Sequence, residues 1–387
     1  MISLDDKSQC SGCTACEAIC PHHAISMKPD ELGFLYPEVD GSKCVECGLC
    51  VKVCSFKAPE KRGEGFPKSY VMKHKIPDEI QKSKSGAAFV ALSDVILRDN
   101  GIVYGAKLDS KHLVKHDVAT DPEERDAFRG SKYIQSDLHG IFSNIKQDLL
   151  EGRIVLFSGT PCQAAGLKSY IGSRLSKNLY IVDILCHGVA SPAIWQEHIR
   201  QIESKKNSRI IKIIPRNPKF GWAESVDTFV LEDGRIYNSD FFSGFVYHKW
   251  ITQRWSCNSC PFTSLNRVSD VTIGDAWGIG NAAPGFDKDN TGASLILVNN
   301  EKGQSLFAKS SEDMLYQEVN LQKMMQPVLK HPTKLHSLRE EFEVAYVSKG
   351  YKYAKRKYLN FAIPAFKIKT LTTLRVLKSK LIGWCFQ

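Results

Sequence analysis

Two runs of four cysteines constrain this chain more than any other feature of its sequence. Both runs have the spacing C-x2-C-x2-C-x3-C, and the second begins 34 residues after the first. Their members are Cys10, Cys13, Cys16 and Cys20, then Cys44, Cys47, Cys50 and Cys54. The segment that carries them has too few apolar residues to form a hydrophobic core of its own. We therefore expect it to fold around metal.

The spacing is typical of bacterial ferredoxins that hold two 4Fe-4S clusters. Three thiolates two residues apart wrap one corner of a cubane, while the fourth points away and ligates the other cluster. The pattern therefore predicts two sites. Site I comprises Cys10, Cys13, Cys16 and Cys54, and site II comprises Cys20, Cys44, Cys47 and Cys50. The alternative is a pair of zinc knuckles, but zinc sites usually use two C-x2-C pairs, or Cys with His, at wider separations.

The composition is that of a folded protein in a reducing compartment. Hydrophobic residues make up 43% of the 387 residues and charged residues 24%, which is typical of a globular chain. The longest uncharged stretches are too short for a membrane-spanning helix. The start, MISLDDK, has no basic or apolar stretch of a secretory signal, so we expect a cytoplasmic protein. Thirteen cysteines in that compartment indicate metal or redox chemistry rather than disulfides.

The basic charge is confined to the C-terminal tail. The net charge is +10, and residues 349–387 contain ten basic and no acidic residues, so the remainder of the chain sums to zero. A neutral body argues against nucleic acid as a partner. Basic residues alternate with aromatic and aliphatic ones in the tail, which indicates contact with an anionic surface. That surface is either the inner face of the membrane or an acidic partner, and a solvated helix packed on the body is the alternative.

Composition divides the chain into four parts. Residues 1–60 form the predicted ferredoxin-type domain, 61–69 a linker, 70–347 the main domain, and 348–387 the basic tail. The predicted fold class is α+β and α/β, with a ferredoxin-like dicluster domain followed by a mixed α/β flavoprotein domain. From the helix that begins at Ser85-Gly86 to about residue 209, strands and helices alternate, which predicts a largely parallel sheet with covering helices. The shorter strands after residue 209 indicate an α+β extension.

The pattern predicts the following individual elements of the main domain. The predicted strands are 102–106, 154–157, 179–185, 210–214, 227–231, 271–274 and 294–298. The predicted helices include one that ends at Asn100-Gly101, one near 138–150, and one from Pro192 to about Ile202.

Four further cysteines occur in distinctive settings, whereas Cys385 lies near the C-terminus and is expected to have no role. Cys162 and Cys186 each follow a predicted strand, and Cys257 and Cys260 form a C-x2-C pair. Because loops after parallel strands gather at one end of a sheet, Cys162 and Cys186 can converge there, with the pair folded over them. By count alone, four thiolates suit iron–sulfur or zinc equally.

These segments resemble the coenzyme F-420 hydrogenase/dehydrogenase beta-subunit family, in the form with an N-terminal ferredoxin domain. The matching segments are KSGAAFVAL, FRGSKYIQSDL, GRIVLFSGTPCQAAGL, VDILCHGVASP and RWSCNSCPFTSLNRVSDVTIGDAWG. The resemblance spans most of residues 84–280. It departs from the family at Ala87, where SGG is usual, and at 274–278, where the usual GD-F-WG has Ala276.

The resemblance implies a third cluster and a flavin. Members of the family bind FAD and iron–sulfur clusters and pass electrons between a one-electron donor and a two-electron acceptor. By this resemblance, site III, formed by Cys162, Cys186, Cys257 and Cys260, holds a third 4Fe-4S cluster. The alternative is half a zinc knuckle at the C-x2-C pair, with Cys162 and Cys186 as buried core thiols.

The predicted FAD contacts rest on short loops, because no G-x-G-x-x-G fingerprint follows a strand. Backbone amides at Ser85 and Gly86, and in the loop Ser158, Gly159 and Thr160, are candidates for binding a pyrophosphate. Lys132 and Tyr133, in the segment GSKY, are candidates for contact with phosphate or with the flavin ring. The ordinary interpretation of each is a capping loop, a tight turn or a solvated lysine.

The sequence thus predicts an iron–sulfur flavoprotein oxidoreductase. It would pass electrons between a ferredoxin-like donor and an organic two-electron acceptor through 4Fe-4S clusters and FAD. Clusters carry one electron each, whereas organic acceptors usually need two, which is why a flavin is expected. The alternatives are a non-catalytic subunit that relays electrons to a partner enzyme, and a zinc-stabilised interaction protein.

Overall fold

The computed structural model describes residues 1–57 and 67–359 of the chain. Most of the predicted linker 61–69 lies outside the described residues, and so do the predicted tail from position 360 onward and Cys385. The chain divides into two compact units, Met1–Ser337 and Leu338–Gln387. None of the helices within the described ranges is long and apolar enough to cross a membrane. The four predicted domain boundaries stay a prediction.

The N-terminal segment consists of short elements between the cysteine runs. They are helix α1 (Ala15–Ile19), strands β1 (Ile25–Pro29) and β2 (Leu35–Val39), and helix α2 (Leu49–Lys52). The two strands pair antiparallel, with Ile25 opposite Val39. Each helix begins after a residue in the left-handed region, Thr14 (φ 64°) and Gly48 (φ 77°), so the backbone turns sharply inside each cysteine run.

An eight-stranded mixed sheet forms the centre of the first unit, in the order β13-β3-β12-β11-β7-β6-β4-β5. In chain order its strands are β3 (Lys68–His74), β4 (Ile102–Leu108), β5 (Val114–Ala119), β6 (Val155–Gly159), β7 (Leu179–Ile184), β11 (Val271–Asp275), β12 (Ser294–Val298) and β13 (Met314–Glu318). A separate antiparallel sheet contains β8 (Ile210–Ile214), β9 (Asp227–Leu231) and β10 (Ile236–Ser239).

The prediction of a largely parallel sheet is wrong. Only the centre is parallel, where β4 pairs with β6, β6 with β7, and β7 with β11. The flanking pairs β4–β5, β11–β12, β12–β3 and β3–β13 are antiparallel. The alternation of strands and helices indicated the crossovers of the centre, but strands that add to the edges can run in either direction. The mixed α/β class is confirmed.

Helices cover both faces of the large sheet. Besides α1 and α2, the helices of the first unit are α3 (Pro77–Lys82), α4 (Ala88–Arg98), α5 (Pro122–Asp126), α6 (Ile141–Leu150), α7 (Pro161–Leu175), α8 (Pro192–Lys206), α9 (Ile279–Ala282) and α10 (Glu301–Ser310). Residues of α4 and α10 pack with Leu156 and Val182 on one face. Residues of α1, α6 and α7 pack with Val155 and Phe157 on the other. Alternate residues of β6 therefore point to opposite cores, as a fully buried strand requires.

The second unit contains α11 (Arg339–Ala354), which is interrupted at Gly350 (φ 74°). Lys355–Leu359 continue it as a short π-helical turn. Residues of the predicted basic tail up to 359 therefore have helical structure.

Several local predictions agree with the structure. The strands predicted at 210–214, 227–231 and 294–298 have those bounds, and the other four predicted strands and the three helices are present with shifted ends. The helix expected to begin at Ser85-Gly86 begins at Ala88 instead. Gly86 lies against the sheet, where its carbonyl accepts a hydrogen bond from the His74 amide at 2.9 Å.

We expect Gly86→Ala to destabilise the protein by about 1–3 kcal/mol. A Cβ at this position would collide with two backbone atoms, the Met72 carbonyl oxygen and the Ser294 amide nitrogen, and neither can move aside as a side chain would. Urea unfolding under anaerobic conditions measures the effect. Gly280→Ala is the matched control, because a Cβ there meets nothing within 4 Å. Equal midpoints for the two variants would contradict the close approach.

Candidate functional site

Site II lies at the surface of the N-terminal segment. Its four cysteines, Cys20, Cys44, Cys47 and Cys50, line one small pocket. Cys47 is exposed, and the rim includes the exposed side chains of Met1 and Val45. Cys20 therefore lies with the second run rather than with its own, which is the exchange of fourth cysteines that the spacing predicts.

Site I lies deeper in the protein and shows the reciprocal exchange. The charges that act on the buried Cys16 thiol come from Cys13, Cys10 and Cys54. Burial, together with these neighbours, raises the pKa of Cys16 and raises that of Cys13 to about 12. The Gly12 amide donates to Cys10 Sγ at 3.3 Å. Backbone donors to sulfur are among the features that set the potential of an iron–sulfur cluster.

Site III is assembled from three separate segments. Cys162 lies in the first turn of α7, directly after β6, and Cys186 follows β7. Because β6 and β7 are parallel neighbours, both loops emerge at the same edge of the sheet. Cys257 lies in the short 3-10 helix Trp255–Ser259, and Cys260 follows it. The four side chains line one cavity, so the predicted convergence is present.

The spacing of the sulfur atoms distinguishes between the two kinds of metal site. Across the described ranges, no three cysteine Sγ atoms lie within 4.8 Å of one another. A tetrahedral zinc ion with Zn–S bonds of about 2.3 Å would hold its sulfurs about 3.8 Å apart. A cubane attaches each thiolate to a different iron and therefore spreads them more widely.

The thiols of site III are buried together, which disfavours their charged form. Burial raises the pKa of Cys186 well above its ordinary value, and nearby Cys257, Cys162 and Cys260 raise it further. Burial raises the pKa of Cys257 and of Cys260 to about 12. Four thiolates could share this space only with a cationic centre among them, because metal binding replaces the protons.

Site I and site III are in direct contact through α7. Gly166 lies one helical turn after Cys162 and faces site I, since a Cβ on it would lie 2.6 Å from Cys13 Sγ. Cys162 is also one of the charges that raise the pKa of Cys13. The same face of α7 therefore carries Cys162, which belongs to site III, and Gly166, against which Cys13 of site I packs.

A cavity of about 680 Å³ lies next to site III. Cys186 and His187 line both this large cavity and the cavity of site III. Of the residues predicted to contact FAD, six line the large cavity: Ser85, Lys132, Tyr133, Ser158, Gly159 and Thr160. Gly86, the seventh, is not among its lining residues, because it packs against β3 and β12.

The loop after β6 has few backbone donors to offer to a phosphate. The Thr160 amide donates to Gln163 Oε1 at 3.0 Å, and the Thr160 side chain caps the first turn of α7 in return. Ser158 and Gly159 are paired with β7. Backbone amides of this loop are therefore poorly placed to bind an anion in the cavity.

Two lysines of the cavity wall can bind an anion instead. Lys132 Nζ donates to the Ala127 and Arg129 carbonyls at 3.0 and 2.8 Å, and Lys84 Nζ donates to the Gly221 carbonyl at 2.6 Å. Burial lowers the pKa of Lys132 to about 7 and, helped by Arg216, that of Lys84 to about 8. In the described part of the chain, neither ammonium group has a carboxylate within ion-pair distance.

Aromatic rings line the cavity near site III. Tyr133 stacks on Tyr247 with ring centroids 3.8 Å apart. Arg216 lies over the Tyr133 ring at 5.7 Å and forms an ion pair with Asp275 at 3.2 Å. The sequence did not indicate a role for Lys84, Arg216 or Tyr247. Only Lys84 had a local signal, because it directly precedes the predicted Ser85.

His116 presents a further group at the cavity wall. Its Nε2 lies 3.0 Å from the Ser158 carbonyl, which can only accept, so Nε2 carries the proton and Nδ1 is an acceptor. Burial lowers the pKa of His116 to about 4, which keeps the ring neutral. Nδ1 is buried and has no hydrogen-bond partner in the part of the chain that the structure describes.

Comparison with known proteins agrees with this arrangement. Residues 9–58 match the model of the 4Fe-4S dicluster domain, which makes the chain an iron–sulfur protein. Residues 152–323 match the model of the C terminus of the coenzyme F420 hydrogenase/dehydrogenase beta subunit, and the two matches together span more than half of the chain. The chain belongs to the coenzyme F420 hydrogenase/dehydrogenase beta-subunit family, with an N-terminal ferredoxin domain, as the sequence resemblance predicted.

The other comparisons add less. No curated protein matches the sequence significantly. Among solved structures, the chain is similar to one from the F420-reducing [NiFe] hydrogenase complex of Methanosarcina barkeri, with 15% identity and a TM-score of 0.44. The match covers 75% of this chain and 90% of that one. A likeness of this strength assigns neither an activity nor a partner.

We expect Cys20→Ala to remove the cluster of site II and leave site I loaded, with a loss of about four irons. The reason is the grouping of Cys20 with Cys44, Cys47 and Cys50 in one pocket. Iron analysis combined with electron paramagnetic resonance of the reduced protein measures the loss. Cys54→Ala is the reciprocal variant and should remove site I instead. Loss of the same signal in both variants would contradict the exchange of fourth cysteines.

Proposed function

We propose that this protein is an iron–sulfur flavoprotein oxidoreductase that passes electrons between a ferredoxin-like donor and an organic two-electron acceptor. When bound, 4Fe-4S clusters carry single electrons, and FAD joins two of them into the pair that an organic acceptor requires. The chain would hold clusters at sites I, II and III and FAD in the large cavity. The direction of electron flow follows from the partners present.

The observation that carries this proposal is that site II, site I, site III and the large cavity follow one another, each next to the one after it. Site II opens to the surface through Cys47, where a donor protein can approach. Site I lies in the same small segment and contacts site III across Gly166. Site III shares Cys186 with the wall of the large cavity. Each site is next to the one that follows it, so the chain itself provides the path.

The large cavity supports the proposed flavin by its size, charge and shape. Its volume of about 680 Å³ is within the range of cofactor sites. In the described residues, Lys84 and Lys132 donate to backbone carbonyls and have no carboxylate partner. Their protonated forms can therefore bind a diphosphate. The Tyr133–Tyr247 stack offers an aromatic surface on the side of site III.

The cytoplasmic location and the contact of the basic tail with an anionic membrane surface stay predictions. Both concern the partners that the chain meets, and most of the tail lies outside the described residues.

Composition analysis of one sample tests the proposal. The chain is purified anaerobically, and iron, sulfide and flavin are measured on the same protein. We expect about twelve irons and one FAD per chain. Full occupancy of the clusters with no flavin, and no binding of added FAD, would favour the relay subunit instead. About eight irons with one zinc would show that site III is a zinc site.

We expect Cys257→Ser to remove about four irons and to weaken flavin retention, while sites I and II keep their spectra. Site III joins three chain segments next to the cavity, so its loss should loosen the cavity wall. Iron content and the flavin released on heating are the measurements. Cys385→Ser is the matched control and should change neither. Normal flavin retention in a variant that has lost the irons would separate the cavity from site III.

We expect the affinity for FAD to fall as the pH rises above about 7, because an anionic ligand binds the protonated form of Lys132. Below pH 7 the ammonium group is already protonated and the affinity is constant. Above it, binding must take up a proton, so the affinity falls by up to about tenfold per pH unit. Lys84, with a pKa of about 8, adds to the slope from pH 8.

Titration of flavin-stripped protein with FAD between pH 6.5 and 9, followed by fluorescence, measures this dependence. Lys132→Met should remove the part of the slope that begins near pH 7. Lys111→Met, at an exposed lysine outside the cavity wall, is the control and should keep it. A profile that is identical in all three proteins would exclude Lys132 from phosphate binding.

A further inference from the structure

Arg254 occupies the contact between site I and site III. Its side chain is almost completely buried, with 1% of its surface exposed. Nε donates to the Cys10 carbonyl at 2.7 Å, and the two terminal nitrogens donate to Gln135 Oε1 at 2.8 Å and to the Leu35 carbonyl at 2.9 Å. The guanidinium lies 4.1 Å from the centre of the Tyr36 ring. One side chain therefore joins the N-terminal segment to the main domain.

The same residue belongs structurally to site III. Arg254 lines the cavity of its four cysteines, and its carbonyl accepts the Cys257 amide at 3.0 Å. The side chain of Arg254 thus contacts Cys10 of site I, and its backbone contacts Cys257 of site III. The exposed surface of site II is not part of this contact.

Among the described residues, the charge of Arg254 has no acidic partner. Throughout the described ranges, no carboxylate lies within ion-pair distance of its guanidinium, and every hydrogen-bond acceptor that it uses is neutral. By contrast, Arg267, the other arginine of the site III cavity, is paired with buried Asp183 at 2.7 Å. An unpaired charge in the interior is costly unless something of opposite sign is bound beside it.

The backbone of site I is shaped to admit this guanidinium. Gly12, between Cys10 and Cys13, has φ 69°, and a Cβ on it would lie 2.6 Å from Gln135 Nε2 and 3.0 Å from Arg254 Nη1. Gln135 Nε2 in turn donates to the Ser11 carbonyl at 2.9 Å. The cysteine loop, Gln135 and Arg254 therefore form one fitted contact.

We propose that Arg254 is a positioning residue that holds site I against site III and whose fixed charge stabilises the reduced state of both. An electron that arrives from the one-electron donor adds one negative charge to a site. A permanent cation in a low-dielectric interior lowers the free energy of that charge, and arginine cannot lose its proton in response. Site II, which opens to water, is screened from it.

The consequence is a bias in where electrons reside. With Arg254 in place, sites I and III have higher reduction potentials than the same cysteine sets would have without it, because net charge near a cluster sets its potential. Electrons entering at the surface are therefore favoured to move inward, towards the large cavity. This inference rests on the proposed function for site III, but its part for site I depends only on the dicluster domain.

Redox titration of the full-length protein tests the inference. Wild type, Arg254→Met and Arg254→Lys are loaded anaerobically, their iron is counted, and reduction is followed by electron paramagnetic resonance at controlled potentials. In Arg254→Met, two of three midpoint potentials should move to more negative values and the third should stay. Arg254→Lys keeps the charge and should show smaller shifts. Arg98→Met, at a half-exposed arginine on α4, is the control and should match wild type.

A second variant covers the case in which Arg254→Met does not fold. Arg254→Gln keeps a polar side chain for the same carbonyl oxygens but carries no charge, so it should lower the same two potentials. In a Cys20→Ala background, which lacks site II, both remaining potentials should shift. That result would identify the unshifted one as site II.

The outcomes separate this inference from the proposed function. Fully loaded Arg254→Met and Arg254→Gln variants with unchanged potentials would overturn it, as would an equal shift of all three potentials. A wild-type protein with about eight irons would refute the cluster at site III. The role of Arg254 would then still be decided by the potential of site I.

Discussion

The burial of thiols beside one another is the constraint on which this structure depends. A buried thiol resists ionisation, and each neighbouring thiolate raises its pKa further, as at Cys186. Twelve of the cysteines nevertheless lie in three groups of four. Such groups are stable as thiolates only around cationic centres, so metal binding and folding are coupled. At site III, a bound metal centre as proposed would fix the loops after β6 and β7 and the turn that carries Cys257, and with them one wall of the large cavity.

The cysteine spacing was the most predictive part of the sequence, for a covalent reason. When ligands lie two or three residues apart, the backbone between them limits which atoms can meet, so the exchange of Cys20 and Cys54 could be predicted before any fold was known. The strands at 210–214 and 294–298 were equally local, since apolar runs bounded by turn residues define them. The direction of the flanking strands was not local. It depends on which edge of the sheet each strand joins, and the sequence does not record that choice.

The residues that the sequence did not reveal share a different property. Arg254, Arg216 and Tyr247 have ordinary sequence neighbours, and their roles arise only where distant segments converge. Arg254 lies 244 positions from Cys10, whose carbonyl it contacts. At Gly86 the sequence indicated a role that the structure does not show, because a glycine before a helix suggested a phosphate-binding loop. Its actual constraint is the close approach of β3 and β12, which only the tertiary structure specifies.

The distribution of unpaired positive charge gives the line of sites a direction. Site II faces water, which screens any charge nearby. Behind it, Arg254 places a buried cation between sites I and III, and the large cavity adds Lys84 and Lys132. If the sites hold clusters and a flavin as proposed, an electron that moves inward passes these positive charges in a medium that screens them less than water does. The same cations favour an anionic ligand in the cavity, so the features that would hold the cofactor also favour the delivery of electrons to it.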